Sequence, residues 1–267
     1  MFYKSGDAQL FYTVQGDGSP LVLLHPVPTN HRFWLELAPL LTPRYKVILP
    51  DLRGHGQSEA GDGPITMEKL AQDIIRLLDE LRISRAFFAG CSIGGYTMYE
   101  LWRRAADRIS GMAFCCCRPQ ADSDANRTKR EEWIANIDER GTRQWVESML
   151  GTLIGGSAYR RRPEKIAEAR EMMLMIRPAA AIAIQQGLAA RPDSVETAKT
   201  IRVPAFVLAG GEDTSSTTAD MKLLAEMIRG GGFGAEFTEI RDAGHYAPWE
   251  QPQMVGKLLR RFFDSII

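Results

Sequence analysis

The feature that most limits the fold of this chain is the segment from Arg85 to Gly95, RAFFAGCSIGG, in which an apolar stretch leads directly into a glycine-rich turn. The turn has the pattern G-x-S-x-G, with Gly90, Ser92 and Gly94 at its fixed positions. Between a strand and a helix, this pattern forms a strained turn that lifts a serine hydroxyl above the carboxyl edge of a parallel sheet. The segment therefore predicts a strand, a nucleophilic Ser92 and a helix that starts just after it.

Strands and helices are predicted to alternate on both sides of this turn. The clearest helix has an apolar stripe from Met67 to Leu81 at helical spacing, preceded by Thr66 as a candidate N-cap. Such alternation favours an α/β fold with a mostly parallel central sheet covered by helices on both faces. The predicted strands are Leu21–His25, Lys46–Pro50, Arg85–Cys91, Gly111–Cys117, Val203–Ala209 and Ala235–Ile240.

The alternation is interrupted between residues 118 and 200, where helix-like segments are separated by glycine and proline and no strand is predicted. A chain of 267 residues is long for one domain and short for two. We therefore expect an α/β core formed by 1–117 and 201–267, with a helical insertion at 118–200. The predicted helices of this insertion are Asp124–Glu139, Thr142–Leu150, Glu164–Ile176 and Ala179–Ala189.

A serine hydroxyl needs a base to become nucleophilic, and the base needs a carboxylate to orient it. His245 is the only one of the four histidines that follows Ser92, and it lies in a loop just after the last predicted strand. Asp213 follows the preceding strand, which gives the chain order serine, acid, histidine. We predict Ser92, Asp213 and His245 as the catalytic residues, with Asp122 or Asp124 as the fallback for the acid.

Acyl transfer at a carbonyl group also needs two backbone N–H groups that stabilise the oxyanion. Ile93, directly after the nucleophile, is one predicted donor. The second is expected from the loop His25-Pro26-Val27-Pro28, in which the two prolines have no N–H and Val27 remains as the donor.

With these motifs in place, the chain resembles the α/β-hydrolase superfamily over almost its whole length. The other matching motifs are Asp51–Ser58 (DLRGHGQS), the G-x-x-D loop Gly210–Asp213, and G-H-x-x-x-x-E-x-P between Gly244 and Pro252. Within the superfamily the chain is similar to small bacterial carboxylesterases and 3-oxoadipate enol-lactonase-like hydrolases, and the insertion is similar to their four-helix cap. The resemblance implies cofactor-free hydrolysis of a small or medium carboxylic ester or lactone.

Three other functions could use the same residues. A cofactor-free haloperoxidase or perhydrolase would replace water with peroxide, and the proline-rich loop at 26–28, where the superfamily usually has His-Gly, keeps this alternative open. A carbon–carbon bond hydrolase would act on a diketone. A ligand-sensing receptor on the same fold would bind its ligand and turn it over slowly.

The substrate pocket is expected between the insertion and the sheet edge. Aromatic and methionine side chains could form an apolar lining there, although such residues at helical spacing often pack in a core. Lysine and arginine are not concentrated near the motif loops, which favours a neutral ester or lactone. The candidate lining residues are Trp34, Tyr96, Trp133, Trp145, Met172, Met175 and Trp249.

Composition excludes several other classes of protein. The 33 basic and 33 acidic residues give a net charge of zero, so no field attracts nucleic acid. No window reaches the roughly 20 apolar residues that span a bilayer. The N-terminal MFYKSGDAQL also lacks the apolar stretch of a signal peptide, so we expect a cytoplasmic protein with a small-molecule substrate and no membrane partner.

Two further patterns are interpreted as structural. Cys91 and the run Cys115–Cys117 have neither metal-ligand nor disulfide-framework spacing, and we expect small buried side chains on strands and no metal site. The glycines at 230, 231, 232 and 234 follow a predicted helix and precede a strand. Nucleotide-binding loops have the opposite order, so this segment is expected to be a connector.

Overall fold

The computed structural model describes residues 1–230 and 234–267 of the chain. Within these residues, eight strands form one sheet in the order β1-β2-β4-β3-β5-β6-β7-β8. The pairs β1–β2 and β2–β4 are antiparallel, and the remaining neighbours are parallel. The strands are β1 (Phe2–Ser5), β2 (Ala8–Gln15), β3 (Ser19–Leu24), β4 (Tyr45–Pro50), β5 (Ala86–Cys91), β6 (Ile109–Cys115), β7 (Ala205–Gly210) and β8 (Ala235–Ile240).

The described residues also form eleven α-helices, and three short 3-10 helices lie at His31–Trp34, Ala38–Leu40 and Ala106–Arg108. The α-helices are α1 (Met67–Glu80), α2 (Ile93–Ala105), α3 (Asp124–Arg140), α4 (Arg143–Leu153), α5 (Gly156–Arg161), α6 (Pro163–Met173), α7 (Pro178–Ala189), α8 (Val195–Lys199), α9 (Thr218–Gly230), α10 (Ala247–Glu250) and α11 (Pro252–Asp264).

Helices cover both faces of the sheet. Tyr99 of α2 stacks on Phe114 of β6, with ring centroids 5.0 Å apart. The Phe263 ring of α11 contacts the Phe87 ring of β5, with ring centroids 5.3 Å apart. Phe87 is aligned with Gly111, three residues before Phe114, so Phe87 and Phe114 point to opposite faces. The predicted α/β fold, a mostly parallel sheet between helical layers, is confirmed.

All six predicted strands are present, with ends shifted by at most two residues. The hairpin of β1 and β2 was not predicted. Its signal was the turn Gly6-Asp7, where Gly6 has φ 61°, between two short segments that alternate buried and exposed residues. The run Cys115–Cys117 is buried as expected, but it does not lie on a strand throughout, because β6 ends at Cys115 and Cys116 has φ 51°.

Residues 116–204 are all described, and they form the six helices α3 to α8 and no strand. The four predicted helices correspond to α3, α4, α6 and α7, whereas the short helices α5 and α8 were not predicted. The two ends of the segment lie side by side. The Ser194 N–H donates to the Pro119 carbonyl oxygen at 2.9 Å, and Arg191 Nη2 lies 3.2 Å from Asp122 Oδ1.

The N-cap predicted for α1 is confirmed, since the Thr66 hydroxyl accepts a hydrogen bond from the Lys69 N–H at 3.2 Å. Gly231 and Gly232 of the predicted connector lie outside the described residues. Among the residues that are described, no single helix is long and apolar enough to cross a bilayer; α6 and α7 reach that length and composition only together, as a pair bent by 96°.

Candidate active site

Ser92 occupies a strained turn between the end of β5 and the start of α2. Its backbone has φ 52° and ψ −116°, a combination that L-residues rarely adopt. A Cβ at Gly90 would lie 2.5 Å from the Gly94 carbonyl carbon, and one at Gly94 would lie 2.3 Å from the Leu24 carbonyl oxygen. Because these contacts are with backbone atoms, both positions require glycine and the turn packs directly against the end of β3.

His245 and Asp213 meet at the same edge of the sheet, in the loops that follow β8 and β7. His245 Nδ1 lies 2.7 Å from Asp213 Oδ2, and both side chains are buried. The other carboxylate oxygen accepts hydrogen bonds from the N–H groups of Ser215 at 2.7 Å and Ser216 at 3.1 Å. A carboxylate only accepts, so the Nδ1 of His245 carries the proton of this bond, and in the neutral imidazole the lone pair is on Nε2.

The His245 loop is held on both sides by its neighbours in the chain. The Gly244 N–H donates to the Glu250 carboxylate at 3.0 Å, and the Tyr246 hydroxyl donates to the Val27 carbonyl oxygen at 2.6 Å. Glu250 also accepts from the Gly155 N–H at 3.0 Å, and burial raises the pKa of this carboxyl to about 7. Glu250 therefore links the His245 loop to the segment that precedes α5.

Glu212, beside Asp213, has a separate role in the structure. Its carboxylate accepts from the Ser157 N–H at 2.9 Å and from the Ser157 hydroxyl at 2.5 Å. The fallback acids also lie in other environments: Asp122 is held by Arg130 and Arg191, and Asp124 is exposed at the start of α3. Among these carboxylates, Asp213 alone contacts a histidine.

The backbone N–H groups of the two predicted oxyanion donors, Val27 and Ile93, have no hydrogen-bond partner among the described residues. Among residues 1–230 and 234–267, neither the Val27 N–H nor the Ile93 N–H donates a hydrogen bond outside regular helix and strand pairing. Ile93 is the first residue of α2, so its N–H has no acceptor within that helix. Val27 lies on the wall of the cavity that also contains Ser92. The roles of both groups as oxyanion donors remain predictions.

His25 and His55 are fully buried and support the loop that contains Val27. The ring nitrogens of His25 bond the Pro26 carbonyl oxygen at 3.0 Å and the Leu52 N–H at 2.9 Å. The two rings are in edge contact at 4.9 Å. Burial lowers the pKa of His25 to about 3 and that of His55 to about 4, so both are neutral structural groups.

A cavity of about 390 Å³ lies between the sheet edge and the helical segment. Ser92 and His245 are on its wall together with residues of α3, α4 and α7 and of the loop after Asp213. Its lining consists of Val27, Ser92, Tyr96, Arg118, Asp122, Asn126, Lys129, Arg130, Trp133, Met149, Thr152, Leu153, Leu188, Thr214, Ser215 and His245.

Tyr96 and Trp133, of the seven expected pocket residues, lie on this wall. The other five are placed elsewhere, because they pack in the core or lie on the surface. Trp34 and Trp249 surround Phe33. Trp145 and Met172 are buried among the helices, and Met175 is 44% exposed beside Asn30. Ordinary packing explains the positions of the four buried residues, whereas Met175 lies on the surface.

The expectation of a pocket without concentrated positive charge is corrected. Arg118, Lys129 and Arg130 line the cavity, and Asp122 is the only carboxylate among the lining residues. The cations belong to the start of the helical segment and lie far from the motif loops in the sequence. Lys129 and Arg130 reach the site because α3 lies over the sheet edge, a tertiary arrangement that no local pattern specifies. Arg118 precedes α3 and lies three residues after the end of β6.

The four cysteines are free and buried. Burial raises the pKa of Cys115 to about 12, so this thiol stays protonated near neutral pH. In the part of the chain that is described, no three His, Cys, Asp or Glu side chains are grouped so that they could hold a metal ion.

Known proteins resemble this chain in sequence and in structure. It is 27% identical over 249 residues to 3-oxoadipate enol-lactonase 1 of Acinetobacter baylyi, covering 92% of this chain and 89% of that protein. A thermophilic esterase from Thermogutta terrifontis superposes with a TM-score of 0.93 at 31% identity, covering 97% and 94% of the two chains. The enol-lactonase from Burkholderia xenovorans gives 0.91 at 28% identity, with coverage of 99% and 100%.

The model of the alpha/beta hydrolase family matches residues 21–257. This range includes the turn at Ser92, the loops that contain Asp213 and His245, and the helical segment. This range is well over half of the chain. The fold agrees with the family match, and the protein belongs to the alpha/beta hydrolase family.

Proposed function

We propose that the protein is a serine hydrolase that cleaves a small or medium carboxylic ester or lactone through an acyl-enzyme on Ser92. The observation that supports this most strongly is the His245–Asp213 hydrogen bond of 2.7 Å, at the wall of the cavity that also contains Ser92. Relatives named as esterases and enol-lactonases support the same class of reaction.

In the first half of the reaction, His245 Nε2 takes the Ser92 hydroxyl proton while Oγ forms a bond to the carbonyl carbon. Asp213 holds the imidazole in the required tautomer and stabilises its positive charge. The Val27 and Ile93 N–H groups bind the oxyanion of the tetrahedral intermediate. When the intermediate collapses, the bond to the alcohol oxygen breaks and His245 returns the proton to that oxygen.

In the second half, water takes the place of the alcohol. His245 removes a proton from water as the water oxygen attacks the acyl carbon. When this second intermediate collapses, the bond between the acyl carbon and Ser92 Oγ breaks, the protonated imidazole returns the proton to Oγ, and the carboxylic acid is released. Every proton and electron pair is supplied by these residues, the substrate and water, so the proposed reaction uses no cofactor.

We assign residues 118–200 as a cap inserted into a core of 1–117 and 201–267. The cavity supports this division, because its walls come from both parts: Ser92 and His245 from the core, and α3, α4 and α7 from the insertion. The cap would then select the substrate, while the core supplies the reacting groups.

Labelling with a fluorophosphonate tests the nucleophile directly. We expect a single modified peptide that contains Ser92, and a loss of p-nitrophenyl butyrate hydrolysis of at least about 10³-fold in Ser92→Ala. Ser84→Ala, which removes an exposed serine hydroxyl far from the cavity, is the matched control and should retain wild-type activity. Wild-type activity in Ser92→Ala, or labelling at another serine, would contradict the proposal.

A further inference from the structure

The cavity next to Ser92 carries more positive than negative charge. Among the described residues that line the cavity, Asp122 is the only carboxylate, and both of its oxygens accept hydrogen bonds. Arg130 Nε lies 2.5 Å from Oδ2, and Arg191 Nη2 lies 3.2 Å from Oδ1. Burial would raise the pKa of Asp122, but the two guanidinium groups outweigh burial and lower it. Asp122 is therefore ionised, and its single negative charge is already paired with two guanidinium groups.

Arg118 is a further cation on the cavity wall. Its side chain is partly buried and makes no hydrogen bond or ion pair with any residue in 1–230 or 234–267. Its backbone N–H donates to Ser216 Oγ at 3.4 Å, which fixes Arg118 beside the loop that holds Asp213. A guanidinium in this position has five donors and a planar fork that fits the two oxygens of a carboxylate.

Lys129 of α3 adds a second positive charge at the exposed side of the same wall. Its ammonium group lies 5.0 Å from the centroid of the Trp133 ring, and no carboxylate of the described residues pairs with it. The Trp133 face keeps the charge beside the cavity. Among the described residues, the cavity wall therefore has three cations, Arg118, Lys129 and Arg130, and one carboxylate, an excess of two positive charges.

We propose that Arg118, assisted by Lys129, binds a carboxylate at the non-reacting end of the substrate, so that the preferred ester or lactone is an anion. This inference rests on the proposed function, because it concerns the molecule that Ser92 attacks. The cavity of about 390 Å³ is large enough for a small acid with a second functional group. Arg118 is thus a specificity-determining residue.

Matched pairs of esters test this assignment. For a carboxylate on the acyl side, mono-p-nitrophenyl pimelate is compared with its ω-methyl ester. For a carboxylate on the alcohol side, 4-carboxyphenyl butyrate is compared with 4-carbamoylphenyl butyrate. We expect the wild type to have a kcat/KM at least about 10-fold higher for the anion of one pair, the magnitude of a charge-assisted hydrogen bond. The pair that shows it identifies the end that Arg118 binds.

Arg118→Gln should remove this preference mainly through KM, with a much larger loss for the anionic esters than for the neutral ones. Arg118→Lys should restore part of it, because a charge remains without the planar fork. Lys129→Gln should weaken the preference by a smaller factor, and added salt should reduce it in the wild type. Arg143→Gln, at an exposed arginine away from the cavity, is the matched control and should behave as the wild type.

Two results would overturn the assignment: equal kcat/KM for anion and neutral analogue in both pairs, or an Arg118→Gln variant that loses neutral and anionic activity equally. Failure of the proposed function is a different result, in which the wild type hydrolyses neither member of any pair and a fluorophosphonate does not label Ser92. Hydrolysis of the neutral esters therefore separates the two conclusions.

Discussion

Asp213 Oδ2 and His245 Nδ1 are 2.7 Å apart, although the residues are 32 positions apart in the chain. The bond joins the loops after two neighbouring parallel strands, so the sheet itself sets the distance. If Asp213 orients the proposed base, Asp213→Asn should lower kcat by about 10³–10⁴-fold, because an amide can favour the wrong imidazole tautomer. Measuring steady-state hydrolysis of a p-nitrophenyl ester checks this.

Asp124→Asn is the control for that experiment, since Asp124 is exposed at the start of α3 and was a fallback acid in the sequence. It should retain wild-type kcat. A large loss of kcat in Asp124→Asn together with a small loss in Asp213→Asn would identify Asp124 as the acid.

Glycine at 94 should be irreplaceable, because a Cβ there would lie 2.3 Å from the Leu24 carbonyl oxygen. We expect Gly94→Ala to displace the turn at Ser92, to lower kcat/KM on the order of 10²-fold and to cost about 1–3 kcal/mol of unfolding free energy. Gly151 in α4 has nothing within 4 Å of an added Cβ. Gly151→Ala should stabilise the protein by about 0.5–1 kcal/mol and keep its activity.

The Tyr246 hydroxyl fixes Val27 through a 2.6 Å hydrogen bond to its carbonyl oxygen. Tyr246→Phe should lower kcat by about tenfold or more, with little change in KM, because the Val27 N–H loses its position. Tyr45→Phe is a matched control: it removes a 2.8 Å bond to Asp264 at the opposite edge of the sheet. Both variants should lose stability, and only Tyr246→Phe should lose activity. If Tyr246→Phe had the same kcat as Tyr45→Phe, the Tyr246 hydroxyl would have no effect on catalysis.

Glu250 should make stability depend on pH. Burial raises its pKa in the folded protein from 4.5 to about 7, so the folded state binds more protons than the unfolded state between these values. The contribution of Glu250 to the free energy of unfolding is complete below pH 4.5 and is lost as the pH rises to 7. The change is about 3 kcal/mol. Urea unfolding of the wild type and Glu250→Gln at several pH values measures it.

The stability difference, wild type minus Glu250→Gln, should therefore fall as the pH rises from 4.5 to 7. The exposed Glu239 provides the control, and the difference between the wild type and Glu239→Gln should stay constant. A pH-independent difference for Glu250→Gln would show that this carboxyl has the same proton affinity in both states.

The sequence predicted the parts of the site that local backbone geometry demands. Ser92 needs a glycine-flanked turn after a strand, and His245 and Asp213 follow strands that a parallel sheet brings to one edge. Lys129 could not be predicted, because its approach to Ser92 depends on how α3 packs over the sheet. Arg118 follows β6 by three residues, but the sequence does not show that its side chain lines the cavity. For the same reason Trp34 and Trp249 were expected on the cavity wall but pack in the core, since a pattern of aromatic residues does not distinguish the two locations.

The helical segment leaves the sheet after β6 and returns at β7, and these two strands are neighbours. The Pro119–Ser194 hydrogen bond and the Asp122–Arg191 ion pair hold its two ends together. One contiguous stretch of the gene can therefore be exchanged without changing the order of the strands. If the proposed division holds, variation in that stretch gives new substrate preferences while the chemistry proposed for Ser92 is inherited unchanged.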